Sequence, residues 1–215
     1  MKKKLVVFDF DGVIIDSFAE QKRRYDFVYA SFGKKSPAKT LAQWREWHDS
    51  KWERNYTRIG ITGEQLRKVP GRFWRGFSYK TSKPFPGIAR ALARLYGRYE
   101  LAIVSNTKRQ IVEKDLKKRG LRKFFSLVEG GDHDSNKTQR LKNVLEKAGV
   151  EKRNAVMVGD TQTDIVAGKA LGVKTLAVVY GWETRERLSK AKPDFFVAKP
   201  SGIPKAIERV FSKRA

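Results

Sequence analysis

Four short runs rich in apolar residues mark the chain, and each ends in polar or glycine-containing sequence. They are "LVVF" before Asp9, "LAIV" before Ser105, "AVMV" before Gly159 and Asp160, and "TLAVV" before Tyr180. Runs without polar alternation predict strands buried on both faces, as in parallel sheets. Between the later runs lie helical patterns. Leu141, Val144, Leu145 and Ala148 recur at i, i+3, i+4 and i+7 and stop at Gly149, a glycine placed where a helix ends. Strands alternating with helices predict an α/β core, a doubly wound parallel sheet with helices on both faces. Such sheets bind ligands beyond the carboxyl ends of their strands, where the polar residues named above fall.

Residues 17–82 break this alternation. Ser17 and Glu20 have the spacing of a capping box, which predicts a helix start. Leu41, Trp44, His48, Trp52 and Tyr56 fall within about a third of the circumference of one helix and predict a buried stripe. No second strand-helix unit follows until "KPFPG", residues 83–87, whose prolines and glycine mark the return to the sheet. The expected organisation is a core formed by residues 1–16 and 83–215, with a small helical domain, 17–82, inserted after the first strand.

With 40% hydrophobic and 12% aromatic residues the chain is expected to fold. The absence of cysteine excludes disulfides and thiolate metal sites. Only two histidines, His48 and His133, are present, which argues against a histidine metal cluster, and His48 reads as a packed core residue. No apolar run approaches the ~20 residues of a membrane span, and the lysine-led N-terminal run is too short for a secretory signal. A cytoplasmic location, no membrane partner, and a monomer or homodimer are expected. The net charge of +24 favours anionic partners. It is spread over the chain, however: residues 18–80 hold 15 basic and 6 acidic residues. Nucleic acid is therefore a secondary expectation, and the insertion's tryptophans are assigned to its core rather than to a stacking surface.

The candidate chemistry lies at the strand ends. Asp9 and Asp11, two residues apart before Gly12, can face one crevice if the glycine turns the chain sharply. Two carboxylates so close need a cation or a shared proton, and all-oxygen ligation suits Mg2+. In "VGDTQTD", Asp160 can bind metal from the loop. Asp164, four residues on at a helix start, can support a ligand, and either Thr163 or Asp164 can cap the helix. A phosphoryl group also needs donors and positive charge. The Ser105 hydroxyl and the backbone amides of "VSNT", at a following helix start, and Lys137, preceding another helix, can supply them.

In order and spacing, "DFDGV", "VSNT", Lys137 and "GDTQTD" resemble the haloacid dehalogenase superfamily, and "KPFPGIARAL" and "AGKALGVKTLAVVYGW" look like its phosphoglycolate phosphatase-like branch. The resemblance implies a Rossmann-like core with the helical insertion as a cap that closes over the site and selects the leaving group. It implies Asp9 as nucleophile and Asp11 as general acid, then base. Ser105, the backbone at Asn106 and Lys137 would hold the phosphoryl group. Mg2+ would bind through Asp9, the Asp11 carbonyl and Asp160, with Asp164 in support. The expected activity is hydrolysis of small phosphorylated metabolites, phosphoglycolate being the candidate. Phosphosugar mutase, inorganic pyrophosphatase and nucleic-acid end-processing activities are the alternatives on the same core.

Overall fold

The computed structural model describes residues 3–132 and 136–212. The chain divides into two compact units, Met1–Asp16 with Pro84–Ala215, and Ser17–Lys83.

In the first unit, β1 (Leu5–Phe8), β4 (Glu100–Val104), β5 (Leu127–Glu129), β6 (Ala155–Gly159), β7 (Lys174–Val178) and β8 (Phe195–Val197) form one sheet. Its order is β5-β4-β1-β6-β7-β8, and every pairing is parallel. Two-residue strands, β2 (Ile15–Asp16) and β3 (Lys83–Pro84), stand where the chain leaves and re-enters this unit. The helices are α5 (Ile88–Leu95), α6 (Arg109–Lys118), α7 (Lys137–Ala148), α8 (Gln162–Ala170), α9 (Arg185–Lys190) and α10 (Ile203–Ser212). All four residues of β1 are fully buried, as a strand covered on both faces requires. Each contributes roughly 1.5–3 kcal/mol of apolar burial. Leu5 and Val7 pack with Leu141, Val144, Leu145 and Ala148 of α7, the four positions marked by the helical period. Gly149 ends α7 in the left-handed conformation at φ 63°.

Strands β5 and β8 have no counterpart in the sequence reading. Each is three residues long and lies at a sheet edge, too short to show a pattern.

The second unit is helical: α1 (Phe18–Ala30), α2 (Leu41–Trp47), α3 (Trp52–Thr57) and α4 (Gly63–Trp74). A helix does start after Ser17, but without the expected capping box, because Ser17 makes no side-chain cap. The Glu20 carboxylate instead accepts from the Thr81 N–H at 2.9 Å and hydroxyl at 2.6 Å. The expected single stripe is also split. The helix breaks after Trp47, where Asp49 accepts from the Lys51 N–H at 2.9 Å. Asn55 accepts from the Asp49 N–H at 2.8 Å and donates to the Asp49 carbonyl at 2.7 Å. This local pairing satisfies backbone groups that a continuous helix would have used. Trp44, His48 and Tyr56 are buried as expected, whereas the break leaves Leu41 and Trp52 exposed.

Tyr25 centres the core of this unit, its ring 4.9 Å from Trp44, 5.2 Å from Tyr56 and 5.3 Å from Phe73. His48 packs edge-on to the same ring, while His133 lies outside the described residues. Guanidinium groups cover several outer aromatics, Arg72 over Phe32 and Arg24 over Phe27 among them. Among the described residues, no helix is long and apolar enough to cross a membrane.

Candidate active site

The parallel register assembles the site. Phe8 pairs with Ile103 on one side and Val158 on the other, so the next residues of the three strands, Asp9, Val104 and Gly159, end level. One step further come Ser105 and Asp160. The connections run outward in opposite directions from β1, which opens the crevice where doubly wound sheets bind ligands. The Asp9 N–H donates to the Val158 carbonyl at 2.9 Å, extending the β1-β6 ladder to the carboxylate itself.

Asp9, Asp160 and Asp164 each offer a carboxylate oxygen within 4.8 Å of the others, all three buried. Burial, only partly offset by Lys137, pushes the Asp9 carboxyl up to about 7, with Asp164 and Asp11 adding repulsion. Burial first, then Asp9 and Asp164, holds Asp160 well above the usual carboxylate range. Asp160 Oδ2 accepts from the Trp182 N–H at 2.7 Å, while its Oδ1 is buried with no hydrogen-bond partner among the described residues. A buried anionic oxygen without a donor is costly and is the feature a cation would relieve. Three hard oxygen donors fit a divalent cation of the Mg2+ type.

Lys137, 6% exposed, lies between two of these acids, its Nζ 2.9 Å from Asp9 Oδ2 and 2.5 Å from Asp164 Oδ1. Burial opposes its charge, but Asp164 and Asp9 outweigh it and hold the ammonium above the ordinary lysine range. Lys137 is the first residue of α7 rather than a residue before it, and the preceding Asn136 caps the helix, accepting from the Gln139 N–H at 2.9 Å.

Asp164 is not the cap of α8, nor is Thr163: Thr161 holds that position. Asp164 Oδ2 accepts from the Thr161 N–H at 3.0 Å and hydroxyl at 2.7 Å, which leaves Oδ1 to Lys137. Asp11 is not one of the three clustered acids. Its Oδ2 accepts from the Thr107 hydroxyl at 2.7 Å. Ser105 is fully buried and its Oγ accepts from the Thr107 N–H at 3.0 Å. Because α6 begins only at Arg109, the amides after Ser105 belong to a loop and not to the first turn of a helix.

Several residues around the site were not marked by the sequence reading. Thr107 lies inside "VSNT", and its hydroxyl meets Asp11, a residue 96 positions away. Trp182 and Glu183 follow β7 in the loop that closes on Asp160. Glu183 is buried, with its Oε2 accepting from the Gln162 N–H at 2.9 Å. Their signal is positional: they follow the strand next to Asp160.

Gly12 turns the chain at φ +78°, and a Cβ there would stand 1.9 Å from Asp160 Oδ2. Gly181 is equally confined, its Cβ position 2.4 Å from the same oxygen. Gly12→Ala is expected to cost about 1–2 kcal/mol through its backbone alone and to displace Asp160 as well. Denaturant unfolding should show the loss, and titration with Mg2+ should show weakened cation binding; a variant with wild-type values in both would contradict the close approach.

The sequence pattern of the haloacid dehalogenase-like hydrolases matches residues 6–178. The chain is 30% identical over 213 residues to a phosphoglycolate phosphatase of Synechococcus elongatus, covering 95% of this chain and 97% of that one. It is 30% identical over 207 residues to a phosphoglycolate phosphatase of Aliivibrio fischeri, covering 89% and 90%. In fold it is similar to a haloacid dehalogenase-like family hydrolase from Streptococcus pneumoniae, with a TM-score of 0.84 at 20% identity, covering 95% of this chain and 98% of that one.

Proposed function

Because the chain belongs to the haloacid dehalogenase-like hydrolase family, we propose that it is a Mg2+-dependent phosphatase of small phosphate monoesters, with phosphoglycolate as the candidate substrate. The observation that carries this reading is the convergence of Asp9, Asp160, Asp164 and Lys137 at the ends of β1 and β6, with Asp11 held beside them by Thr107. The names of the two relatives support the substrate class.

In this reading an Asp9 carboxylate oxygen attacks phosphorus and the bond to the ester oxygen breaks, giving an aspartyl-phosphate. Asp11 gives its proton to the departing alcohol. It then takes a proton from water as that water attacks phosphorus and the bond to Asp9 breaks, releasing inorganic phosphate and restoring both carboxyl groups. The Thr107 hydroxyl orients Asp11 for both transfers. Lys137 and the donors of the Ser105 loop hold the phosphoryl oxygens, whose charge they offset. Asp9, Asp160 and the Asp11 carbonyl, supported by Asp164, would hold the cation, which supplies positive charge that keeps the crowded carboxylates ionised and draws the phosphoryl group to them. The inserted unit Ser17–Lys83 would select the leaving group.

The test is an assay with Mg2+ against phosphate esters, phosphosugars, nucleotides and pyrophosphate. Phosphoglycolate is expected among the best substrates, with simple hydrolysis products; phosphoryl transfer to a second sugar hydroxyl, or preference for pyrophosphate, would displace the proposal. Chelation is expected to stop turnover and added Mg2+ to restore it. Mg2+ at a hundred times its Kd should also stabilise the fold by about 2.7 kcal/mol, read as a rise in Tm. A chelated enzyme that keeps its rate would exclude the cation from the reaction.

A further inference from the structure

One turn beyond Lys137 on the same face of α7 stands a second buried cation, Arg140, 4% exposed. Its Nη2 donates to the side-chain oxygen of Asn106, the residue that follows Ser105. Asn106 is exposed, so a buried arginine reaches a surface amide that borders the site. The carboxylates whose fields reach the guanidinium include Asp9 and Asp164, together with Glu129 and Asp132.

The rest of the loop is tied elsewhere. The Thr107 N–H donates to Ser105 Oγ at 3.0 Å, the Gly131 N–H donates to the Thr107 carbonyl at 2.9 Å, and Asp132 Oδ2 accepts from the Arg109 N–H at 2.9 Å. A Cβ on Gly131 would lie 2.2 Å from the Asn106 carbonyl oxygen, so the backbone after β5 presses on the loop from one side. These ties join the loop to itself and to the segment after β5. The Arg140 bond joins it to α7, the helix that carries Lys137.

We propose that Arg140 is a positioning residue for phosphoryl binding: through Asn106 it fixes the loop after Ser105 against α7, so that the loop donors and Lys137 converge on one anion. The inference rests on the phosphatase reading. A guanidinium presents donors in a fixed plane while an ammonium is a compact point charge, so lysine does not replace Arg140.

The test compares the full chain, Asn106→Ala, Arg140→Lys, Arg140→Met and the double variant Arg140→Met with Asn106→Ala. With Mg2+ present, kcat and KM for p-nitrophenyl phosphate and the calorimetric Kd of inorganic phosphate are measured for each. Asn106→Ala and Arg140→Met are each expected to weaken phosphate about tenfold, with KM rising more than kcat falls, and the double variant to bind no more weakly than Arg140→Met alone, as expected for one shared interaction. Arg140→Lys should fall with the weakened variants. Losses that multiply in the double variant, an Asn106→Ala protein within about twofold of wild type, or full rescue by Arg140→Lys would each overturn the proposal. If Arg140→Met does not fold, Asn106→Ala and Arg140→Lys decide it by the same criteria. A wild-type chain that binds phosphate but hydrolyses no ester sinks the phosphatase reading and leaves the comparison of phosphate affinities intact; one that binds no phosphate overturns both.

Discussion

Asp9→Asn is expected to lower turnover by at least about 10³-fold, the order of loss seen when a covalent nucleophile is removed, while the protein stays folded. The substitution keeps the volume of the side chain, and the amide oxygen can still accept from the Phe10 N–H, which Asp9 Oδ1 does at 2.7 Å. What disappears is the attacking oxygen. Neutralising a carboxyl that burial already pushes up to about 7 removes a repulsion with Asp164 and Asp160, and Lys137 retains Asp164 as its partner. The unfolding midpoint should therefore stay near wild type. Steady-state rates with circular dichroism on the same samples make the check, and a folded Asp9→Asn protein with near-normal turnover would remove Asp9 from the reaction.

Lys137→Met should damage both activity and stability. Loss of a charge aimed at the phosphoryl group is expected to cost about 10²–10³ in kcat. Removing one member of a buried ionic cluster leaves Asp9 and Asp164 facing each other, a change worth about 3–5 kcal/mol where the charges persist. The sign with pH follows from Asp9. Its folded pKa of about 7 lies above the ordinary aspartate value of 3.8, so between these values the folded state holds more protons than the unfolded one. Without added cation, stability from this group falls as pH rises through that window. Lys137→Met raises the folded value further, so its deficit should be larger at pH 8 than at pH 5. Denaturant unfolding at the two pH values measures it, and a deficit that grows toward acid would contradict the arrangement.

The parts of the fold legible in the sequence are those set by repeating side chains. The runs in β1, β4, β6 and β7 and the stripe on α7 are buried because no other placement hides them. The acids were legible because charge at the end of an apolar run is rare and costly. Edge strands β5 and β8 were not, since three residues carry no period. Nor was the break between α2 and α3, which depends on Asn55 reaching back to Asp49, a contact no propensity encodes. The roles of Thr107, Trp182 and Arg140 escaped for a similar reason: each depends on a partner far away in sequence, Asp11, Asp160 and Asn106 in turn. A hydroxyl or guanidinium gains its role only once the sheet has chosen its neighbours.

The strand order also has a kinetic side. β1 sits in the middle of the sheet, yet its neighbours begin at Glu100 and Ala155. During synthesis, which releases the chain from its N-terminus, the four apolar residues of β1 must wait for both edges of their slot, while the contiguous helices of Ser17–Lys83 need no distant partner. Folding of the sheet is thus a late, long-range closure with a high entropic barrier. A nascent or truncated chain lacking β6 would carry an apolar strand with one edge unpaired and no assembled acidic cluster. Such a chain should depend on chaperones and should acquire cation binding only in its last stage of assembly.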